Sequence, residues 1–198
     1  MKKYNSILII ILVTGLFANA QSKATNKADK LFSKFEFVDA AKAYEALIAK
    51  GEANAYVYGK LADAYYNVFN TVEAEKWYAK TLKSSEAPET IYKYAQMLKA
   101  NGKYEESNKQ MAKFASMRPA DHRAITFVNN PNYLPKILEK GKKFNVQDAG
   151  VNSAYSDFGG TLQDGKLYIA TARNEDGKSY GWNEEPFLDI YAANKNKD

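Results

Sequence analysis

Apolar positions recur with the period of an α-helix through the first two-thirds of the chain. One face with the spacing i, i+3, i+4 and i+7 is formed by Ala74, Trp77, Tyr78, Thr81 and Leu82. Patterns of this kind predict three pairs of helices, at 24–34 and 38–50, at 55–68 and 71–84, and at 88–100 and 104–116.

The predicted helix pairs repeat with a period of 34 residues. Ala28 and Tyr44 correspond to Ala62 and Tyr78, and a third copy follows at nearly the same step. The matched positions are Ala28, Phe37, Ala40 and Tyr44, then Ala62, Thr71, Ala74 and Tyr78, then Ala95, Tyr104, Ser107 and Met111. Such a period is typical of helical repeat proteins, in which each unit buries its apolar face on its neighbours.

Residues 121–141 do not continue the repeat. Asp121 is a suitable N-cap for a short helix through Val128, and a second short helix is predicted at 133–140. The sole histidine, His122, is a weak metal-ligand candidate because no second ligand lies near it in the sequence. Apolar side chains of the two helices are expected to cover the open end of the repeats: Ile125, Phe127, Val128, Leu134, Ile137 and Leu138.

After Phe144 the period changes from helical to alternating. Strands are predicted at 158–163, 166–173 and 187–193, with a further strand at 144–146. Asp164-Gly165 is a strong two-residue hairpin signal, because both turn positions require positive φ. One sheet of this size has unpaired edges and little to cover its faces, so we expect the chain to be the front portion of a larger protein.

The first twenty residues have the pattern of a secretory signal peptide. Lys2 and Lys3 precede an apolar segment at 7–17, and residues 18–20 supply the small-x-small motif that a signal peptidase cleaves. Gln21 is then the expected N-terminus of an exported protein. An uncleaved membrane anchor is the less favoured alternative, because the apolar segment is short.

The amino-acid composition argues against several classes of function. The 198 residues contain no cysteine and carry a formal net charge of +5. No disulfide can form, and no cysteine can carry a lipid, so we do not expect a lipoprotein. The small, evenly spread charge does not favour nucleic-acid binding. The sequence has no Gly-x-Ser-x-Gly elbow and no thiol nucleophile, so we expect no enzymatic activity, no cofactor and no metal.

The helical repeats resemble the tetratricopeptide repeat (TPR) family over about residues 21–121. The resemblance is carried by Ala62, Tyr65, Ala74, Tyr78, Ala95, Gly102, Tyr104 and Pro119. Phe35 and Phe69 stand where the family has glycine, and Thr71 stands where it has an aromatic residue.

This resemblance implies a curved solenoid whose concave surface is a groove for a peptide or partner protein. By family position the groove residues are Phe32, Tyr56, Asp63, Tyr66, Asn67, Tyr92, Gln96 and Lys99. The alternative is that these residues form a solvated face, with the tyrosines packed on neighbouring turns and the repeats acting as a spacer.

The C-terminal segment resembles the first blade of the WD-like β-propeller in OmpA-family proteins of Bacteroidota. The resemblance is carried by Asn152-Ser153, residues 156–159, Lys166-Leu167-Tyr168, Ala172-Arg173, Trp182-Asn183 and residues 186–191. Asp157, Arg173, Trp182 and Asp189 are expected to hold the blade geometry. Tyr180, Trp182 and Asn183, on the long loop, are the candidate partner-binding residues of this segment.

In that family a signal peptide, TPR domain and propeller precede an OmpA-like peptidoglycan-binding domain, and some relatives take part in type IX secretion and gliding motility. The expected organisation is therefore a signal peptide at 1–20, a TPR solenoid at 21–121, capping helices and linker at 122–143, and a blade at 144–198.

The expected function is a non-enzymatic periplasmic scaffold for protein or peptide partners, associated with the outer membrane. Peptidoglycan would be bound only through a domain beyond these residues. The alternatives are a peptide or glycan receptor, or the front of a propeller-containing peptidase.

Overall fold

The structure, a computed structural model, describes residues 23–141 and 143–194. The predicted signal peptide at 1–20 lies outside the described residues. The chain divides into two compact units, Met1–Pro131 and Asn132–Asp198. No helix within the described ranges is long and apolar enough to cross a membrane.

The first unit consists of antiparallel helix pairs followed by one short helix. The described part of α1 covers 23–33. The other helices are α2 (Phe37–Ala49), α3 (Ala55–Asn67), α4 (Thr71–Thr81), α5 (Pro88–Ala100), α6 (Tyr104–Met117) and α7 (His122–Asn129). Each helix from α2 to α6 packs on the helix that follows it, and α3 also contacts α5. The predicted three helix pairs are confirmed, and α4 ends three residues before its predicted end.

Local sequence signals explain where the helices begin. The side chains of Asn54 and Asn70 accept hydrogen bonds from the backbone N–H groups of the first turns of α3 and α4. Pro88 occupies the first turn of α5, where its missing N–H is not needed. Asp121 caps α7 by accepting from the backbone N–H of Arg123 at 2.9 Å, as the sequence predicts.

Small residues at the repeated positions allow the helices to approach closely. Ala40, Ala62, Ala74 and Ala95 are fully buried, and Ala28 is nearly so. The space beside them is filled by large side chains, among which the largest that are fully buried are Tyr44, Tyr78, Phe114 and Leu61. The core of the first unit therefore lies between the helices of successive pairs, as the repeat predicts.

The turns within the three pairs share one geometry. The N–H of Glu36 donates to the carbonyl of Leu31 at 3.1 Å, that of Asn70 to Tyr65 at 2.9 Å, and that of Lys103 to Leu98 at 2.8 Å. These are the bonds of a Schellman motif, which places the preceding residue in the left-handed region. Those residues are Phe35 (φ 64°), Phe69 (φ 56°) and Gly102 (φ 77°).

The expected cover over the end of the repeats is only partly formed. Ala124 of α7 is buried and Phe127 packs beside it against the core cluster around Phe114. Ile125 and Val128 are exposed, because α7 has only about two turns and packs a single face against the core. The prediction that these two residues are part of the cover is wrong.

Helix α8 (Tyr133–Leu138) belongs to the second unit and has no buried residue. Its side chains Ile137 and Leu138 are exposed, so the prediction that they cover the repeats is also wrong. The helix spans under two turns, too short to form a continuous apolar face.

The second unit also contains a three-stranded antiparallel sheet in the order β1 (Asp157–Gln163), β2 (Lys166–Thr171), β3 (Asp189–Asn194). The hairpin between β1 and β2 has Asp164 at φ 49° and Gly165 at φ 74°, as the Asp-Gly signal predicts. A bulge lies between Phe158 and Thr161.

The structure differs from the predicted strands at several bounds. β2 ends at Thr171, two residues before its predicted end. Residues 144–146 form no strand, because the described residues provide them no ladder partner. β3 begins at Asp189, two residues later than expected, because Phe187 is committed elsewhere: its N–H donates to the carbonyl of Lys178 at 2.8 Å and closes the long loop.

The sheet carries apolar side chains on both faces. The register places Leu162, Leu167, Ile169 and Tyr191 on one face, and Phe158, Ala170 and Ile190 on the other. Of these, only Ile169 is buried, and both Leu162 and Ile190 are more than two-thirds exposed. Neither face therefore has the polar pattern of a solvated surface.

Candidate functional site

The first helices of the pairs carry one polar position that repeats across the solenoid. Asp29 of α1 corresponds to Asp63 of α3 and to Gln96 of α5, and each side chain meets the residue fifteen positions later. The hydroxyl of Tyr44 donates to Asp29 at 2.6 Å and that of Tyr78 to Asp63 at 2.7 Å. In the third pair the amide of Gln96 lies 3.8 Å from the sulfur of Met111. Hydrogen bonding at this position thus joins the two helices of every pair.

The two carboxylates also connect successive pairs. Asp29 accepts from the hydroxyl of Tyr56 on α3 at 2.9 Å, and Asp63 accepts from the ammonium of Lys93 on α5 at 2.7 Å. Asp63 is half-buried, and its Oδ1 accepts hydrogen bonds from both Tyr78 and Lys93. Its placement indicates a structural link between pairs, although the sequence predicts it as a groove residue.

Burial and hydrogen bonding shift the titration of these groups. Burial raises the pKa of Asp29, but the hydroxyl donors Thr25, Tyr44 and Tyr56 outweigh it, and the net pKa is lowered. Burial, together with the bond to Asp29, raises the pKa of Tyr56 to about 12. The same causes raise the pKa of Tyr44 well above its ordinary value. The carboxylate and phenol forms that the hydrogen bonds require are therefore the stable ones at neutral pH.

Aromatic rings and lysines alternate along the same surface. The ammonium of Lys60 lies 4.6 Å from the ring centroid of Phe32 and 5.9 Å from that of Tyr56. One repeat later, the ammonium of Lys93 lies 5.4 Å from the ring of Tyr66. Cation–π contacts of this kind hold the lysine stems flat against the rings. Phe32 and Tyr56 thus share one lysine, and Tyr66 makes the equivalent contact one repeat later.

A pocket of about 380 Å³ opens between the C-terminal half of α3 and α5. It is lined by Tyr66, Phe69, Tyr92, Gln96, Met97, Lys99 and Ala100. Four of the eight predicted groove residues therefore meet at one place. Of the other four, Phe32 and Tyr56 lie one repeat away. Asp63 is hydrogen-bonded to Tyr78 and Lys93. Asn67 is exposed and donates to the carbonyl of Asp63 at 2.7 Å, a local helix contact.

Phe69 is the pocket residue that the groove prediction missed. Its left-handed turn follows the end of α3 and presents the ring outwards, 71% exposed, beside Tyr66 and Tyr92. The signal was available in the sequence, since an aromatic residue replaces the glycine expected at this turn. Lys60 and Lys93 were also missed, because their role depends on ring contacts between different repeats.

Tyr92 of α5 is held in place by contacts to α6 and α7. Its ring lies 5.3 Å from that of Phe114, and the guanidinium of Arg123 lies 4.2 Å from the Tyr92 centroid. Arg123 is itself fixed by two hydrogen bonds of 3.0 Å to the carboxylate of Glu89. The wall of the pocket on α5 is therefore preorganised by contacts on its far side.

In the second unit, the loop residues Tyr180 and Trp182 lie together. The ring of Tyr180 is 6.5 Å from that of Trp182 and 4.5 Å from that of Phe187. Glu184, at φ 60°, closes the turn by donating its N–H to the carbonyl of Tyr180 at 2.9 Å. The side chain of Asn183 accepts from the N–H of Glu185 at 3.1 Å, which gives it a role within the turn. Trp182 is exposed and Tyr180 half-buried.

Asp157 and Arg173 form a structural node at the base of the sheet. The guanidinium of Arg173 donates to Asp157 at 3.0 Å and to the carbonyl of Val151 at 2.7 Å, and it lies 4.3 Å from the ring of Tyr191. Hydrogen bonds from Thr171, from the backbone of Ser153 and from Arg173 hold the pKa of Asp157 well below its usual range. The predicted architectural role of both residues agrees with this arrangement.

The described part of the chain offers no group of three His, Asp or Glu side chains that would hold a metal ion. His122 is exposed, and its Nδ1 lies 3.5 Å from the hydroxyl of Thr126.

No protein-family model and no curated protein matches the chain. One similar solved structure is the NMR structure of the second TPR domain of the human RPAP3 protein in complex with the HSP70 peptide SGPTIEEVD. It is 20% identical with a TM-score of 0.49, and the match covers 57% of this chain and 95% of that chain. The description of the first unit as helical-hairpin repeats rests on the period, helix bounds and packing given above.

Proposed function

We propose that the helical unit is a protein-interaction module that binds an extended segment of a partner protein in the pocket between α3 and α5. The observation that carries the proposal is the convergence of Tyr66, Phe69, Tyr92, Gln96 and Lys99 on one open cavity. Exposed aromatic side chains held on a rigid helical frame are typical of sites that bind peptides.

The lining of the pocket defines the chemistry of the segment. Tyr66, Phe69, Tyr92 and Met97 supply apolar and aromatic surface, which fits one large apolar side chain of the partner. Gln96 and Lys99 supply polar groups at the same cavity, which favour peptide carbonyls and acidic side chains next to that apolar residue. We therefore expect a segment with an apolar anchor residue flanked by acidic residues.

The test is selection of a random peptide library against the whole chain, followed by affinity measurement on two matched variants. Phe69→Gly removes the exposed ring from the pocket, and Phe35→Gly removes the equivalent exposed ring one repeat earlier. Both replacements relieve a left-handed φ, so both retain the fold. We expect selected peptides to bind Phe69→Gly at least about tenfold more weakly, as for a hot-spot aromatic residue, and to bind Phe35→Gly unchanged.

Two results would refute this function. One is equal affinity of all selected peptides for the wild-type chain and Phe69→Gly. The other is retention of full affinity by the double variant Tyr66→Ala/Tyr92→Ala, since both side chains form the walls of the cavity. In either case the repeats would act as a spacer.

For the second unit we propose the first blade of a WD-like β-propeller. The apolar residues on both faces of the sheet support this, because a propeller blade is covered on both sides by neighbouring blades. Reading the gene beyond the codon for Asp198 tests it. Further sheet patterns at a spacing of about 40–50 residues are expected, and a hydrolase domain with a nucleophile elbow would contradict the scaffold.

From the resemblance to OmpA-family proteins, we propose that the protein acts in the periplasm, next to the outer membrane, in type IX secretion or gliding. The proposal of export has a direct test. Mass spectrometry of the protein recovered from a periplasmic extract should give an N-terminus at Gln21. Recovery of the protein only with residues 1–20 attached would contradict cleavage.

A further inference from the structure

Arg123 of α7 lies behind the wall that α5 contributes to the pocket. Its guanidinium carbon is 4.2 Å from the ring centroid of Tyr92 and 4.9 Å from that of Phe114. The rings of Tyr92 and Phe114 are themselves 5.3 Å apart. Arg123 thus contacts both rings of this pair, although none of the residues that line the pocket belongs to α7.

Two carboxylates fix the guanidinium in this position. Glu89 accepts from Nη1 and from Nη2, each at 3.0 Å, and Asp121 accepts from Nε at 3.0 Å and from Nη2 at 2.9 Å. A planar guanidinium bonded in this way along two edges keeps its face on the ring of Tyr92. Glu89 precedes Tyr92 by three residues, so Arg123 binds two neighbouring side chains on one face of α5.

The other aromatic wall of the pocket is supported differently. The ring of Tyr66 on α3 lies 6.3 Å from that of Tyr78 on α4 and 5.4 Å from the ammonium of Lys93 on α5. These supports belong to the helix pairs that form the pocket. Tyr92 instead depends on α7, which follows the third pair. The shape of the pocket is therefore linked to a helix that lies outside it.

We infer that Arg123 is the positioning residue for Tyr92, and that α7 controls the affinity of the pocket through it. With Arg123 in place, the ring of Tyr92 has its binding orientation before a peptide arrives. Without Arg123, the ring has to be ordered during binding, and ordering one such side chain weakens binding about two- to tenfold. This inference rests on the proposed function, because it concerns regulation of the same site.

The coupling acts in both directions. A peptide and a helix that both stabilise one orientation of Tyr92 must stabilise each other by the same factor. The single buried residue of α7 is Ala124, so local opening of this helix is expected at low free energy. A bound peptide should therefore slow amide hydrogen exchange at residues 125–129 in the wild-type chain and leave it unchanged in Arg123→Met.

The main test measures the affinity of one selected peptide for Arg123→Met, Tyr92→Leu and the double variant. Arg123→Met keeps an unbranched side chain without the planar cation, and Tyr92→Leu keeps an apolar wall without the ring. We expect Arg123→Met to weaken binding about fivefold in the wild-type chain and to have no further effect in Tyr92→Leu. An equal loss in both backgrounds overturns the inference, since Arg123 would then act through charge or general stability.

The matched control is Arg118→Met, which removes the same charge from an exposed residue at the end of α6. It should leave the affinity near the wild-type value, and a loss equal to that of Arg123→Met overturns the inference.

Glu89→Gln is a second variant that leaves α7 intact and changes an exposed side chain. It should weaken binding although it removes a charge that repels an acidic peptide. Unchanged or stronger binding overturns the positioning role.

Two results separate the role of Arg123 from the function of the pocket. If the selected peptide shifts the resonances of Tyr66, Phe69 and Tyr92 and binds Arg123→Met as tightly as the wild-type chain, only the control by α7 is overturned. If no selected peptide binds at these residues in the wild-type chain, the proposed function fails and the role of Arg123 fails with it.

Discussion

Phe35 and Phe69 occupy a backbone conformation that glycine adopts more easily. Gly102 stands at the equivalent turn of the third pair with the same hydrogen bonds. A side chain in the left-handed region costs roughly 1–2 kcal/mol, and neither ring recovers this by burial, since both are about 70% exposed. At Phe69 the strain is retained beside the pocket, which is typical of a residue with a binding role.

We predict that Phe35→Gly and Phe69→Gly each increase the free energy of unfolding by about 1 kcal/mol. The gain is the relieved strain minus the extra backbone entropy of glycine. Urea denaturation measures it. Gly102→Ala is the reverse control: nothing lies within 4 Å of the added methyl group, so only strain changes, and stability should fall. Unchanged stability in all three variants would contradict the assigned turn geometry.

The hydroxyl of buried Tyr44 depends on Asp29 for its hydrogen bond. We predict that Asp29→Ala lowers the free energy of unfolding by about 1–3 kcal/mol, because it leaves this hydroxyl unpaired. Tyr44→Phe introduced into Asp29→Ala should then restore stability or leave it unchanged. If Tyr44→Phe lowers the free energy of unfolding by the same amount in Asp29→Ala as in the wild-type chain, the two groups are not coupled.

Sequence patterns predicted on which helix the groove residues lie, but they did not predict which side chains these residues contact. The period located Asp63 and Tyr66 on the first helix of a pair, and both lie there. It did not show that Asp63 is occupied by Tyr78 and Lys93, because that contact joins three helices. Phe69 was identified as a departure from glycine, but its place in the pocket depends on how α3 and α5 pack.

At the scale of elements, apolar period and turn chemistry predicted the helices and the hairpin. Residues 88–100 are helical as predicted, from Pro88 to Ala100, because a proline start and a glycine turn both act locally. The start of β3 was less predictable. Phe187 has the composition of a strand residue, but its N–H is used by the carbonyl of Lys178 across the loop.

The helix pairs are joined by tyrosine hydroxyls. Their stability is therefore expected to fall at alkaline pH, where these hydroxyls ionise. Burial, followed by bonds to carboxylates, raises the pKa of Tyr44, Tyr56, Tyr65 and Tyr78. A raised pKa in the folded state gives stability that is present below the unfolded value of about 10 and is lost as pH rises further.

We therefore predict that the free energy of unfolding of the helical unit decreases above about pH 10. Absorbance at the tyrosinate band should report ionisation of these four tyrosines as the helices unfold. Circular dichroism at the helical band monitors the unfolding over the same pH range. Complete tyrosine ionisation with the helical signal intact would contradict the hydrogen-bonded arrangement.

At the scale of the whole molecule, burial is unequal between the two units. The helical unit contains two clusters of buried side chains. In the sheet the buried residues are Ile169 and Thr171, and Ala172 directly after β2 is also buried. Leu162 and Ile190 are exposed on opposite faces. Few buried apolar contacts permit local opening at low free energy.

We predict that protease cleaves residues 144–194 of the isolated protein before residues 23–120. The physical reason is the difference in buried apolar surface between the two segments. Limited proteolysis followed by mass spectrometry measures the order of cleavage. Equal resistance of the two segments would show that the sheet is stabilised by more than its own core.

Binding of a partner peptide between α3 and α5 can be measured by chemical-shift mapping with NMR, using a peptide selected on the whole chain. We predict that the largest shifts occur at the pocket residues Tyr66, Phe69, Tyr92, Gln96 and Lys99. These shifts should disappear in Phe69→Gly and persist in Phe35→Gly. Shifts confined to residues outside this pocket, or unchanged by Phe69→Gly, would contradict binding at this pocket.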